Sequence, residues 1–453
     1  MKKKIRALSI ILAVAMILVL SACAPSSKGS STATKNDKYD FGGMTITIAS
    51  PYKTDLTPGL NSETDALISR IAKVEEQYKV KVEFKMISAG SYWDDMVSVA
   101  MGGTPHGDLM FAFPWMLTDW IKGNVVRDVS GIAKEVGIDF NDGTWSKLVM
   151  EDNTYGNATF GFTRGYTTLQ NGLLFNTKLF KEANLKNPNE IIAEKGKWDF
   201  ATMEEYARKL TKVDSTGKTT QIGLSTTGLT MLLQSFVLSN GGSIVDYSTE
   251  IPTFAMGNSK SLQALEIFNK MLNIDKSITG TIEWQKVMEG MAKGTIAMAM
   301  CEEWVISDMK EYIDENGLTS DYALTYFPIG PSGTDYIDTS YGGNSTFIPS
   351  TISDEKAKAA LLVYAALYAP GENETMEDIV TNRGEAIFAD EASVDVFKDI
   401  VLNNKAKSTG TCRLGLNEIA GYITESFFFQ NWTPPTKNSA IYTGKCGQKS
   451  DTT

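Results

Sequence analysis

The chain has 453 residues and a formal net charge of −11, with 42% hydrophobic and 21% charged residues. That composition suits a soluble globular protein, and a body of about 410 residues exceeds what one hydrophobic core usually organises, so two or more lobes are expected. The acidic balance argues against nucleic acid or another polyanion as partner.

The first 23 residues read as an address. Lys2, Lys3, Lys4 and Arg6 form a basic head, and residues 7–20 carry no charge. This run is shorter than the ~20 apolar residues a membrane span needs and has the length of a secretory signal core. Leu20-Ser21-Ala22-Cys23 follows. It resembles the bacterial lipobox, which implies cleavage before Cys23 and a diacylglyceryl group on its sulfur. An ordinary signal peptide with an incidental cysteine is the plainer reading of the same stretch. Residues 24–40 are Ser-, Thr-, Lys- and Asn-rich, too polar to bury a core, and read as a flexible tether. The folded body is expected from residue 41. With Cys23 lipidated, Cys301, Cys412 and Cys446 remain, an odd number. A bridge between Cys412 and Cys446 is left open.

Residues 44–49 alternate as a strand does, 62–78 carry apolar residues at helical spacing, and 80–86 alternate again. A helix near 92–101 ends at Gly102-Gly103-Thr104-Pro105, and 108–112 form a short apolar strand. Strand and helix alternating at this pace predict βαβ units with parallel strands. Ligands of such sheets sit at the carboxyl ends of the strands, and Phe113, Trp115 and Trp120 lie just past the third. Residues 155–176 read as a crossing that opens a new strand at 173–176. Helices are predicted over 177–183, 202–210 (with Asp199 as N-cap), 230–238 and 261–273. A helix ending at Gly294 leads into a buried strand, 295–300, and then Cys301-Glu302-Glu303-Trp304. A short strand at 345–348 and helices at 355–368, 374–380, 393–403 and 419–430 complete the pattern. No internal repeat is present.

Four segments in order resemble the extracellular solute-binding proteins of bacterial ABC importers, specifically the carbohydrate-binding family. They are Tyr92-Trp93-Asp94-Asp95 with Thr104-Pro105-His106-Gly107-Asp108-Leu109; Leu174-Phe175-Asn176-Thr177-Lys178-Leu179-Phe180 with Trp198-Asp199-Phe200; Met291-Ala292-Lys293-Gly294-Thr295-Ile296-Ala297-Met298 leading to Trp304; and Tyr341-Gly342-Gly343 with the helix after Ser353. His106 stands where the family usually has an acidic residue. The resemblance implies an α/β, two-lobed, periplasmic-binding-protein-like fold, each lobe a mainly parallel β-sheet flanked by helices. By this resemblance residues 41–160 plus 283–335 form the N-terminal lobe and 161–282 plus 336–450 the C-terminal lobe, joined by a hinge that closes on ligand.

A sugar offers an apolar ring face and a hydroxyl rim, so its binder stacks aromatics on the face and points polar groups at the rim. Trp304 after the buried strand is the first candidate, then Trp115 and Phe113, then Trp93, Tyr166, Trp284 and Tyr341. Each has an ordinary reading as core, and Trp198, which opens a helix, is read as structural. Glu302 and Glu303 are neighbours that face opposite ways in extended chain, so one could reach a ligand. Arg164, Asn171 and Asn344 sit at the expected crossings, where a loop-stabilising hydrogen bond is the plainer role. His106 is the only histidine, and its default reading is a solvated loop residue.

The expected function is a lipid-anchored receptor on the outer face of the cell membrane. It would act as a monomer, capturing a mono- or oligosaccharide between its lobes and delivering it to the permease subunits of an ABC transporter. No cofactor, metal or catalytic residue is expected. A lipid-anchored glycoside hydrolase would share the address, the acidity and the aromatics, and needs two carboxylates ~5–9.5 Å apart. A cell-surface polysaccharide-binding protein is the third reading. The sequence has no Gly-x-Ser-x-Gly, Gly-x-Gly-x-x-Gly or His-Glu-x-x-His motif, and one histidine cannot build a multi-histidine zinc site.

Overall fold

A computed structural model describes residues 39–87, 104–248, 252–280, 282–403 and 405–411. The expected helices at 92–101 and 419–430, Trp93, Cys23, Cys412 and Cys446 lie outside these residues.

The first sheet is built on a βαβ unit. Strand β1 (Met44–Ser50) leads to helix α1 (Ser62–Tyr78), whose N-cap Asn61 side chain accepts from the Thr64 N–H. The helix stops at Lys79, at φ 52°, and β2 (Val80–Met86) returns parallel to β1 with Met44 opposite Val80. Strand β3 (Leu109–Ala112) pairs parallel on the other side of β1. Helices α2 (Pro114–Lys122), α3 (Ser130–Val136) and α4 (Lys147–Asp152) follow, then the small hairpin of β4 (Thr154–Tyr155) and β5 (Ala158–Thr159).

The second sheet takes β6 (Gly172–Asn176), then helices α5 (Thr177–Glu182), α6 (Pro188–Ala193) and α7 (Phe200–Leu210), the edge strand β7 (Lys212–Val213), and β8 (Thr219–Thr226). Helix α8 (Leu229–Ser239), the β9 (Val245–Asp246) and β10 (Thr253–Phe254) pair, α9 (Ser259–Asn269) with its π-helical end Lys270–Ile274, and α10 (Trp284–Ala292) lead to β11 (Ile296–Cys301), α11 (Glu303–Glu315) and β12 (Tyr322–Thr325). Asp199 caps α7 as expected, accepting from the Thr202 N–H. The strand order is β12-β6-β11-β8-β7; β11 runs parallel to β8 and antiparallel to β6. All six residues of β11 are buried, because both faces are covered. Met298 and Met300 face Trp198, Phe236 and Phe268, while Ala299 and Cys301 face Val305, Ile306 and Phe397. Burial on both faces is what turns an alternating pattern into a continuous apolar run.

The chain then passes through β13 (Asp338–Ser340) to β14 (Ser345–Phe347), which pairs antiparallel with β3 in the first sheet. Helix α12 (Asp354–Leu367) packs on α1 and β1, and α13 (Met376–Ile387) and α14 (Glu391–Leu402) cover the second sheet at α11 and β12. Strand β15 (Ala406–Ser408) ends the described residues, parallel to β13.

This connectivity corrects the division expected from the sequence. Residues 283–335 were assigned to the N-terminal lobe, but β11 hydrogen-bonds between β6 and β8 in the second sheet. Residues 345–367 were assigned to the C-terminal lobe, but β14 and α12 complete the first. An apolar strand is legible from its own residues; its partner is chosen by packing.

The segments between the sheets bury an unusual share of polar side chains: Thr167, Gln170, Asn171, Asp338, Thr339, Ser340, Thr409 and Thr411 are all at most 8% exposed. They hold one another by directional bonds. Asn171 Nδ2 donates to the Thr339 carbonyl, the Thr409 N–H to the Ser340 carbonyl at 2.8 Å, and Ser408 Oγ to Asp152 Oδ2 at 2.9 Å. Asp338 lies within this seam with Oδ2 buried and unpartnered. Burial pushes its carboxyl up to about 7, against the backbone N–H groups of Thr339, Gln170 and Asn171 that favour the ionised form. A carboxyl whose folded-state value is raised holds a proton that the unfolded chain has already lost. Its contribution is therefore present below about pH 4 and is lost as pH rises toward 7. The melting temperature should fall between pH 5 and 8 more steeply in the wild type than in Asp338→Asn; equal slopes would mean that Asp338 folds ionised.

Candidate ligand-binding site

Parallel strands end together, and the ends of β1 and β3 on one sheet and of β8 and β11 on the other are where an α/β protein gathers ligand. Each end carries a group of aromatic rings.

On the first sheet, Phe113 is the N-cap of α2 and Trp115 lies in its first turn, after Pro114 at the first helical position. Phe113 and Trp115 stack with centroids 4.5 Å apart and planes 6° off parallel. Phe111 sets its edge to Phe113 at 4.8 Å, Tyr52 stands edge-on to Phe111 at 5.5 Å, and Tyr341 reaches Trp115 at 6.1 Å. Five rings from three separate segments thus form one row. Trp115 is 43% exposed and Tyr52 57%, which is costly for large apolar rings unless something covers them. Trp115, Phe113 and Tyr341 were expected here. Tyr52 was missed, although it follows the end of β1 as Phe113 follows β3; Phe111 had been counted only as part of its strand.

On the second sheet, β11 runs into Glu302, the N-cap of α11, with Trp304 in the first turn and 46% exposed. Trp284 opens α10 and meets Trp304 edge-on at 5.1 Å. The Ile282 N–H donates to the Thr226 carbonyl at 3.2 Å, tying this loop to the end of β8. Thr227 Oγ1 donates to Glu302 Oε2 at 3.1 Å. Burial pushes the Glu302 carboxyl above its ordinary value, and the Thr227 hydroxyl and the residue's own backbone N–H pull it back.

The helices that start directly after these strand ends share a feature. Helices α2, α8 and α11 have no side-chain cap, whereas α5, which follows the opposite end of the antiparallel β6, is capped by Asn176. Main chain serves part of these first turns: the Glu303 N–H donates to the Leu169 carbonyl at 2.9 Å and the Met116 N–H to the Phe113 carbonyl at 3.0 Å. A helix N-terminus is also a place that can receive a ligand oxygen.

Other expected site residues are placed elsewhere. Glu303 is 5% exposed and points inward, because the helix starts at this residue and breaks the strand-like alternation assumed for the pair. Its carboxylate accepts from Tyr166 Oη at 2.7 Å, Arg383 Nε at 2.8 Å and the Leu169 N–H at 3.2 Å. Tyr166 is spent on that bond and sets its ring edge against Phe397; its hydroxyl is pushed up by burial and by the Glu303 charge. Arg164 donates to Thr144 Oγ1 at 3.0 Å and to the Ala365 carbonyl, and lies over the Trp145 ring at 5.3 Å. Asn344 exposes its side chain and offers its carbonyl to Thr163 Oγ1 at 2.7 Å. Asn171 is buried in the polar seam. Trp198 is fully buried with Nε1 on the Tyr326 carbonyl, the structural role expected of it. Arg383, mid-helix in α13, gave no signal in the sequence. A cavity of about 530 Å³ bordered by Trp198, Asp199, Glu204, Ile267 and Tyr336 shares no lining residue with either aromatic group. Among the described residues no group of three or more potential metal ligands occurs, and no helix is long and apolar enough to cross a membrane.

The description "bacterial extracellular solute-binding protein" belongs to the family model that matches residues 60–374. Solved structures share the fold at low identity. A solute-binding protein from Thermotoga lettingae bound with α-D-tagatose aligns at TM-score 0.60 and 17% identity, over 86% of this chain and 96% of that one. A sugar transporter protein from Rhizobium etli in an open conformation aligns at 0.61 and 16%, over 86% and 96%. One from Arthrobacter chlorophenolicus with bound laminaribiose aligns at 0.58 and 14%, over 86% and 95%. No curated protein sequence matches the chain.

Removing Arg383 leaves Glu303 buried with one charged donor fewer. Arg383→Ala should cost about 1.5–3 kcal/mol in urea unfolding, with Arg383→Lys recovering part of it.

Proposed function

Since the chain belongs to the bacterial extracellular solute-binding proteins, we propose that it captures a carbohydrate between its two aromatic groups and passes it unchanged to the permease of an ABC importer. The observation that carries this reading is the exposed rings at the strand ends of both sheets: Trp115 with Phe113, Tyr52 and Tyr341 on one, Trp304 with Trp284 on the other. A pyranose or furanose ring lays its C–H face on such rings, while its hydroxyls meet the helix N-termini and the Glu302 carboxylate. The tagatose and laminaribiose carried by the structural neighbours support this class of ligand.

The mechanism needs no covalent step. Ligand bound to one lobe supplies contacts that favour the arrangement in which the other lobe also touches it, so the closed population rises. The polar seam suits this movement, since hydrogen bonds between crossing strands can be re-formed as the backbone bends, whereas an interlocked apolar core resists bending. The receptor acts as a monomer on the outer face of the membrane, held by a lipid on Cys23 at the end of the tether. Two acyl chains anchor stably where one does not.

A thermal-shift screen of the full chain against a saccharide panel tests the reading. A ligand at a hundred times its dissociation constant stabilises by about 2.7 kcal/mol, and no shift with any sugar would count against it. Trp304→Ala and Trp115→Ala should each weaken binding at least tenfold with the ligand-free melting temperature preserved, as expected for a ring at the centre of a contact. Wild-type affinity in both variants would put the site elsewhere. Cys23→Ala should move the protein from the membrane fraction to the medium.

A further inference from the structure

The carboxylate of Glu302 lies beside the second aromatic group at the strand ends, and its surroundings are specific. It is largely desolvated, its Oε2 takes a single side-chain donor, Thr227 Oγ1 at 3.1 Å, and Trp304, two residues on, meets Trp284 edge-on. The cations beside this group are matched elsewhere: Lys286 with Glu283 and Arg383 with Glu303. A carboxylate has room for about four donors, so acceptor capacity remains for ligand hydroxyls. The N-terminus of α11 carries about half a positive charge and would by itself draw an anion. Glu302, at the N-cap of that helix, answers it with a whole negative charge.

We propose that Glu302 sets the charge specificity of the site: it accepts hydroxyl hydrogens from neutral saccharides and turns away sugars that carry a carboxylate or a phosphate. The proposal rests on the carbohydrate reading above and narrows it to uncharged ligands. Two like charges about 6 Å apart at an effective dielectric near 20 repel enough to weaken binding roughly a hundredfold.

The test is calorimetric titration of the full chain at pH 7.5. The probes are cellobiose, laminaribiose, maltose and galactobiose, each paired with its counterpart oxidised to a uronic acid at one C6. The wild type should bind at least one neutral sugar, with the matching uronate at least thirtyfold weaker. In Glu302→Gln, which keeps the shape and the hydrogen-bonding side chain, the gap should shrink to within about threefold. A uronate that binds the wild type as tightly as its neutral partner overturns the charge filter and leaves the carbohydrate reading standing, as does a gap unchanged by Glu302→Gln. Binding of none of the eight overturns both. Should Glu302→Gln fail to fold, the paired wild-type affinities decide the matter alone.

Discussion

Three donors from two chain segments converge on the Glu303 carboxylate: a tyrosine hydroxyl and a backbone N–H from the crossing segment, and a guanidinium from α13. A buried carboxylate is costly unless it is met in this way. Meeting it fastens the first turn of α11 to the start of the second sheet. With Glu303 held inward, its neighbours Glu302 and Trp304 have to leave the core, and both emerge where β8 and β11 end. The residue expected to touch ligand thus directs the two beside it.

The same economy appears on the first sheet without any charge. Pro114 starts α2 with a fixed φ, suited to the first helical position, and the flanking Phe113 and Trp115 stack on each other. Each sheet therefore places an exposed aromatic in the first turn of the helix after a parallel strand. Both helices leave their first N–H groups without a side-chain cap, although Asn, Asp, Ser or Thr caps many of the helices elsewhere. Omitting the cap costs about 1 kcal/mol at an ordinary helix. Here the strand ends do without that side chain.

Local pattern made much of this legible. The alternation in β1 and β2, the helical spacing in α1, the Asp199 cap and the apolar run of β11 could all be read from adjacent residues, and so could the idea that aromatics just past a strand are exposed. Pairing was not legible in this way. β11 contributes to the sheet of β6 and β8 rather than to that of β1 because of what its methionines pack against, a property of residues far along the chain. The Glu302 and Glu303 assignment turned on one residue of register: a strand continued by one position reverses the two side chains, and nothing local fixes where the helix starts. Arg383 was invisible because a charged residue in an amphipathic helix is ordinarily solvated. Tyr52 was within reach of the rule that found Phe113.

The antiparallel pairing of β14 with β3 also has a consequence for how the protein is made. The first lobe lacks its edge strand and the helix that covers it, α12, until the whole of the second sheet has been synthesised. During that interval β1 and β3 keep apolar faces uncovered, and loop closure over such a distance slows folding. The early segment therefore reaches its complete native form only when the late one arrives.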